Sequence, residues 1–356
     1  MLKTVFPTLA RFRLAIQLVM LFVTVYGSVF VGTYMADKIS SNLPALSCAY
    51  DQMNGGYCVL IPTQHILHHR IGEAVVRAQQ LTINMVLPLL MSFAAFFAFF
   101  FVIVKAFCGL ICPLCTLQEL IGKIGRRFGI GARRFEQGDL GAAKRVRPVK
   151  WLILLGLVFL LPLLTGLGVT PHSMGNPYCD ICPSRVATTL LTGNTEQLAL
   201  RLGDNVSFSL GAIANILIGF TLVAALALRL PFCRICPLLA FNSVFQRLSP
   251  MRLAKPTRDK CGSCHVCTEA CPMDIPEISS EVGRKAYNED CTLCGRCAEY
   301  CPQDGVIQLK WGPLALFSSS RAYYKAKVKG ELPDGTVKPV KLVKNAVKPA
   351  AGTADA

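Results

Sequence analysis

Apolar residues along this chain gather into four runs, separated by polar and basic loops. They span roughly Leu14 to Met35, Leu81 to Ala106, Trp151 to Val169 and Phe208 to Leu230. Each is near the ~20 residues a helix needs to cross a bilayer. Pro88 and Pro162 fall inside two of them, which transmembrane helices tolerate when neighbours satisfy the freed carbonyls. The first run is long for a signal peptide, and no small-x-small cleavage site follows it, so it reads as an uncleaved anchor. The pattern predicts an α-helical membrane protein with four transmembrane helices in two pseudo-repeated hairpins. Composition agrees: 53% of residues are hydrophobic and 16% charged, against about 25% charged in an ordinary soluble domain.

The formal net charge is +16. Nucleic-acid binding is set aside because the basic residues flank the apolar runs, as membrane topology requires. Lys123, Arg126, Arg127, Arg133, Arg134, Lys144, Arg145, Arg147 and Lys150 fill the middle loop, whereas the loops on either side of it are nearly balanced in charge. Lys3, Arg11 and Arg13 flank the N-terminus, and Arg229 to Arg258 include six basic residues after the fourth run. The positive-inside rule then places both termini and the middle loop in the cytoplasm of a bacterial inner membrane, with the first and third loops outside.

The seventeen cysteines carry the chemistry. Cys261, Cys264, Cys267 and Cys271-Pro272 follow the C-x2-C-x2-C-x3-C-P spacing, which recurs at Cys291, Cys294, Cys297 and Cys301-Pro302. In a bacterial-type 2[4Fe–4S] ferredoxin domain the fourth cysteine of each motif ligates the other cluster. One [4Fe–4S] cluster is therefore expected on Cys261, Cys264, Cys267 and Cys301, and a second on Cys291, Cys294, Cys297 and Cys271. Zinc would also accept Cys-x-x-Cys pairs, but gives no reason for two repeated octets. His265, between two ligands, is read as tuning its cluster through hydrogen bonding. The expected organisation is a transmembrane domain over 1–250, the ferredoxin domain over 251–312, and a flexible basic tail over 313–356.

Two more cysteine groups close spans two and four on the cytoplasmic side: Cys108, Cys112-Pro113 and Cys115, then Cys233 and Cys236-Pro237. A pseudo-twofold repeat brings such groups together, and Cys112, Cys115, Cys233 and Cys236 are the expected ligands of an inner-face cluster. Cys108 is either a spare thiol or a replacement for Cys115, and the alternative for the whole set is buried packing thiols. The outward loops hold Cys48 and Cys58, then Cys179 and Cys182-Pro183. Two readings stay open for these four: an outer-face cluster, or disulfides of an oxidising compartment. His65, His68, His69 and His172 lie in the same loops. Neutral imidazoles there suit contact with a quinone or haem iron, and the alternative is a solvated amphipathic surface helix.

The four spans, the Cys-Pro motifs at Cys112-Pro113 and Cys236-Pro237, and the trailing ferredoxin pair resemble the NapH/NosR-type membrane ferredoxin family, over roughly Leu14 to Pro302. Members have Cys-x-x-x-Cys-Pro at both inner positions, whereas Cys233 and Cys236 are separated by two residues. The resemblance implies an electron-transfer subunit, a component of a quinol dehydrogenase. Its implied partners are the lipid bilayer, quinone or quinol, and periplasmic or membrane redox proteins in a complex. A second reading is an iron–sulfur maturation, regulatory or metal-reducing factor that supports a respiratory enzyme. No Gly-rich nucleotide fingerprint occurs in a strand–helix context, so no NAD or flavin site is expected. The spans carry almost no ionisable residues of the kind that mark ion pathways.

Overall fold

The computed structural model describes residues 9–31, 59–78, 82–101, 105–130, 140–193, 195, 198, 204–246, 248–255, 261, 264–275, 277–280 and 289–328. Cys48 and Cys58 lie outside them. The chain divides into two compact units. One holds Met1–Arg11, Arg252–Asn288 and Gly295–Ala356, and the other Phe12–Met251 with Glu289–Cys294.

The larger unit is helical. Helices cover Leu9–Val31, Ile83–Phe100 and Asn205–Ala227, and a helix from Leu140 runs on through a π-helical stretch, Leu154–Leu160, to Gly166. Two segments, Val146–Gly166 and Asn205–Ala227, are long and apolar enough to cross a membrane, with mean hydropathies of 2.1 and 2.2. On the second, Ile216, Phe220 and Val223 share a face at helical spacing, and all three are exposed. Shorter helices follow the cysteine motifs. Pro113–Arg127 and Pro183–Leu191 each begin with proline at their first position, where a missing N–H costs nothing. The stretch after Cys115 has a strongly amphipathic pattern, and it packs along the Asn205–Ala227 helix rather than standing alone. Gly125 makes this approach close, since a Cβ there would lie 2.3 Å from the Leu226 carbonyl oxygen. Small residues at such contacts let helix backbones meet.

The smaller unit carries short helices and a three-stranded sheet of order β1 (Met251–Ala254), β2 (Gln308–Trp311) and β3 (Leu314–Ser318). β2 and β3 are antiparallel, with an irregularity between Leu309 and Lys310. Here the structure corrects the tail boundary drawn at 313. Residues 314–318 form β3, and Arg321–Val328 form a helix. The reason is a buried ion pair: Lys327 Nζ lies 2.8 Å from Glu299 Oε1, both side chains 1% exposed. Glu299 Oε1 also accepts from the Tyr323 hydroxyl and the Ala10 N–H, and Lys327 sits 3.9 Å above the Tyr300 ring. Low apolar content hid a segment held by a charge. Lys327→Met strands Glu299 and should cost about 3–5 kcal/mol, read as a lower unfolding midpoint by calorimetry.

Candidate functional site

In the smaller unit, Cys261, Cys264, Cys267 and Cys301 line one cavity together with Lys255, His265, Pro302 and Gln303. This is the ligand set the crossed ferredoxin spacing predicts for the first cluster. His265 takes φ 55°, a left-handed conformation uncommon outside Gly, Asn and Asp. It turns the chain into the Val266–Ala270 helix so that Cys264 and Cys267 face the cavity. Burial pushes the Cys267 thiol up to about 11, against the opposing pull of Lys255. Buried thiolates of this kind need a cation, and iron supplies it while releasing the protons. Lys255 is itself buried, its ammonium donating to the Ser279 carbonyl at 2.7 Å. Cys271 and Cys297 are also buried in this unit.

The larger unit gathers a second group of thiols. Cys108, Cys112, Cys115, Cys233 and Cys236 lie within electrostatic range of one another, and Cys115 hydrogen-bonds Cys233. Asn242 Nδ2 donates to Cys108 Sγ at 3.7 Å.

The Cys179 and Cys182 pair, expected in an outward loop, lies beside Cys236 of this second group. The Cys182 thiol donates to the Tyr178 hydroxyl at 3.9 Å, and that hydroxyl is 4.0 Å from Cys236 Sγ. The two sets are neighbours because the short helix after each Cys-Pro motif folds back, and both motifs pack on one apolar core built from Phe107, Leu154, Val158, Tyr178 and Phe241. Neither Cys179 nor Cys182 is in a disulfide.

Two glutamines, missed in the sequence, show that the sets are copies. Gln64 Nε2 donates to Cys179 Sγ at 2.8 Å, and its Oε1 accepts the Tyr178 N–H at 3.2 Å. Gln118 Nε2 donates to Cys233 Sγ at 3.5 Å, and its Oε1 accepts the Phe232 N–H at 3.1 Å. In both cases the partners are 115 and 114 residues away along the chain. The readable signal was Pro-aromatic-Cys-x-Ile-Cys-Pro at 177–183 and 231–237, with a glutamine six residues after Cys58 and after Cys112. An N–H donor to a thiolate sulfur stabilises the more negative, reduced state of a centre bound there. Gln118→Leu should lower the midpoint potential of the Cys233 centre, by about the energy of one hydrogen bond, ~1 kcal/mol, as measured by potentiometric EPR titration.

Glu289–Cys294, the start of the second ferredoxin motif, belongs to the larger unit. Arg147 Nε bonds Asp290 Oδ2 at 2.7 Å, Lys150 pairs with Asp290 Oδ1, and Trp151 Nε1 donates to Glu289 Oε2 at 3.1 Å. Lys105 Nζ donates to the Glu289 carbonyl at 2.6 Å, and Arg13 Nη1 to the Cys294 carbonyl at 3.3 Å. Lys105 and Lys150 are fully buried. A Cβ on Gly109 would lie 2.6 Å from the Thr292 oxygen and 3.4 Å from Cys294 Cβ, so only glycine permits this approach. Cys294 thereby packs on Gly109, next in the chain to Cys108.

The four histidines also come together. His68 stacks on His69 with ring centroids 3.9 Å apart and meets His172 edge-on at 4.7 Å, while His65 is 4.6 Å from His69. His69 Nδ1 and Glu73 Oε1 are 2.8 Å apart, and this hydrogen bond holds the Glu73 carboxyl below its usual range. Burial, then the His69 and His172 charges, lower His68 to about 4, so its ring is neutral near pH 7.

Models of two domain families match the chain. A 4Fe-4S binding domain matches residues 85–131 and again 210–256, and a 4Fe-4S dicluster domain matches 260–307. The first takes in both inner cysteine motifs, the second both ferredoxin motifs. The chain thus carries ferredoxin-type iron–sulfur domains for several [4Fe–4S] clusters, and electron transfer is the activity they support. Among curated proteins, 184 residues are 27% identical to "Putative electron transport protein YccM" of Escherichia coli strain K12, covering 51% of this chain and 45% of that one. A stretch of 182 residues is 28% identical to "Uncharacterized protein MJ0750" of Methanocaldococcus jannaschii, covering 51% and 63%. The chain therefore spans about half to two thirds of the relatives it matches. No solved structure matches.

Proposed function

We propose that this chain is a four-span membrane subunit that passes electrons between the quinone pool and a redox partner protein. Both termini are cytoplasmic, and the protein works within a respiratory complex. Bound [4Fe–4S] clusters supply one-electron carriers. Cys261, Cys264, Cys267 and Cys301 hold the first, and the second ferredoxin motif begins the next. The five thiols around Cys233 hold a membrane centre, and Cys179 and Cys182 contribute to a further one.

The observation that carries this reading is the unbroken succession of thiols through the larger unit. Cys294 packs on Gly109 beside Cys108, Cys115 bonds Cys233, and Cys236 meets Cys182 across the Tyr178 hydroxyl. A hydrocarbon core is ~30 Å thick, too far for a direct hop between faces. Motifs that fold back toward one another shorten that step. The chain's own part is to hold the sulfurs, exclude water with the core around Phe107 and Tyr178, and aim amide N–H groups at the sulfurs.

The test is anaerobic purification with a count of iron and acid-labile sulfide, followed by addition of a quinol. About 16 irons per chain are expected for four clusters, about 12 for three and about 8 for the ferredoxin pair alone. About 12 or more, with bleaching of the cluster absorption by quinol, supports the reading. About 8, or clusters that quinol leaves oxidised, would sink it.

A further inference from the structure

The geometry points to a divalent transition-metal site, separate from the thiol centres, in which His68, Glu73 and His172 are the ligands and His69 holds Glu73 in place. One ligand atom from each of the three lies within 4.8 Å of the others. Local backbone chemistry creates this. His68 and Glu73 are five residues apart, which sets them on different sides of an ordinary α-helix. Residues Ile66–Gly72 are π-helical, and the Glu73 N–H bonds the His68 carbonyl. That i to i+5 turn stacks the imidazole on the carboxylate. A π-bulge carries a cost, and such bulges gather at functional sites. Two glycines fix it here: a Cβ on Gly166 would lie 2.3 Å from the His68 carbonyl oxygen, and one on Gly72 would lie 2.5 Å from Gly166 Cα.

The His68 ring is 2% exposed. Its Nδ1 has no hydrogen-bond partner and is walled off by Gly175, where a Cβ would lie 2.3 Å away. Its Nε2 is 3.6 Å from Glu73 Oε1, too long for a hydrogen bond. That separation is close to the ~3.3 Å between two ligands of one tetrahedral ion with bonds of about 2.0–2.1 Å. Glu73 Oε1 is steadied by His69 at 2.8 Å, an arrangement that orients ligating carboxylates. His172 reaches the group from a 3-10 turn after Pro171, pinned by Thr165 Oγ1, which bonds Thr170 Oγ1 at 2.7 Å and the Met174 carbonyl at 3.1 Å. Two imidazoles and a carboxylate suit zinc with an open fourth position, or ferrous iron with several. His172 is exposed, so the open side faces outward.

The experiment uses the full chain, purified without oxygen and stripped by a mild chelator. Zn2+ and Fe2+ are added back and counted by mass spectrometry against acid-labile sulfide, and Co2+ serves as an optical probe. One ion beyond the cluster iron is expected, with Co2+ bands free of sulfur charge transfer. His172→Ala, which changes an exposed side chain, and Glu73→Gln should abolish it, and His69→Ala should weaken it 10–100-fold. Cluster absorption should stay unchanged in all three. No added ion in the wild type, unchanged binding in the variants, or Co2+ bands showing thiolate ligation would overturn the site. So would a wild type that binds a quinone analogue there instead, with His172→Ala losing the analogue and no ion involved. Sulfide reports the clusters separately, so this result is independent of the electron-transfer reading.

Discussion

Cys233→Ser should remove about four irons from each chain and leave the ferredoxin pair's about eight in place. The case rests on where Cys233 sits. Its thiol accepts from Gln118 and bonds Cys115, so it is central to the five-thiol group. The cavity of Cys261, Cys264, Cys267 and Cys301 draws on none of these residues. Serine keeps the volume and the hydrogen bond but is a poor ligand for soft iron–sulfur chemistry. The folded chain should therefore persist without that centre. Quinol should then fail to bleach the ferredoxin pair, while dithionite still does. Unchanged iron in Cys233→Ser would reduce this group to packing thiols. A four-iron cluster takes four thiolates, and the same count on Cys108→Ser and Cys115→Ser identifies the four among these five.

The second large effect falls on Asp290. This carboxylate pairs with Arg147 and with the buried Lys150. Asp290→Ala leaves the ammonium of Lys150 buried with only Glu289, 3.8 Å away. Removing one partner of a buried pair costs about 3–5 kcal/mol. The penalty falls on the attachment of Glu289–Cys294 to the larger unit, not on the thiols of either group. Total iron should hold, whereas the equilibrium that keeps this segment attached weakens by about two to three and a half decades, as 3–5 kcal/mol converts at 1.4 kcal/mol per decade, and reduction of the ferredoxin pair through the five-thiol group should slow. Stopped-flow absorption after mixing with quinol reads this directly. An unchanged rate would remove Asp290 from the route.

The ferredoxin cysteines were legible from spacing because ligands to one cluster must recur at fixed intervals, and the cavity around Cys301 has that crossed set. The two long apolar helices were legible because hydropathy reports burial in either lipid or protein. The meeting of Cys182 with Cys236 was not. Apolar runs mark where a chain could cross a bilayer, but not where a short helix after a Cys-Pro turns back. Gln64 and Gln118 were hidden because an amide has no signature of its own; only the repeat around them gives it meaning. The grouping of His68 with Glu73 was hidden for a sharper reason. Reading at 3.6 residues per turn separates them, and a π-turn has no periodic signal. The helix at Arg321–Val328 escaped because its anchor is one lysine on one buried carboxylate.

The long reach of the glutamine contacts bears on how the protein is made. Gln118 meets a sulfur 115 residues further along the chain, and Cys108, Cys112 and Cys115 precede it. At the usual ~5–20 residues per second, those three thiols leave the ribosome roughly 6–25 s before Cys233 exists to complete their set. During that interval they are nucleophiles without the partner thiol that completes their group. Loading of a centre that uses Cys233 must thus wait for that later stretch of chain, whereas the two ferredoxin motifs, synthesised close together, are free to fill as they emerge.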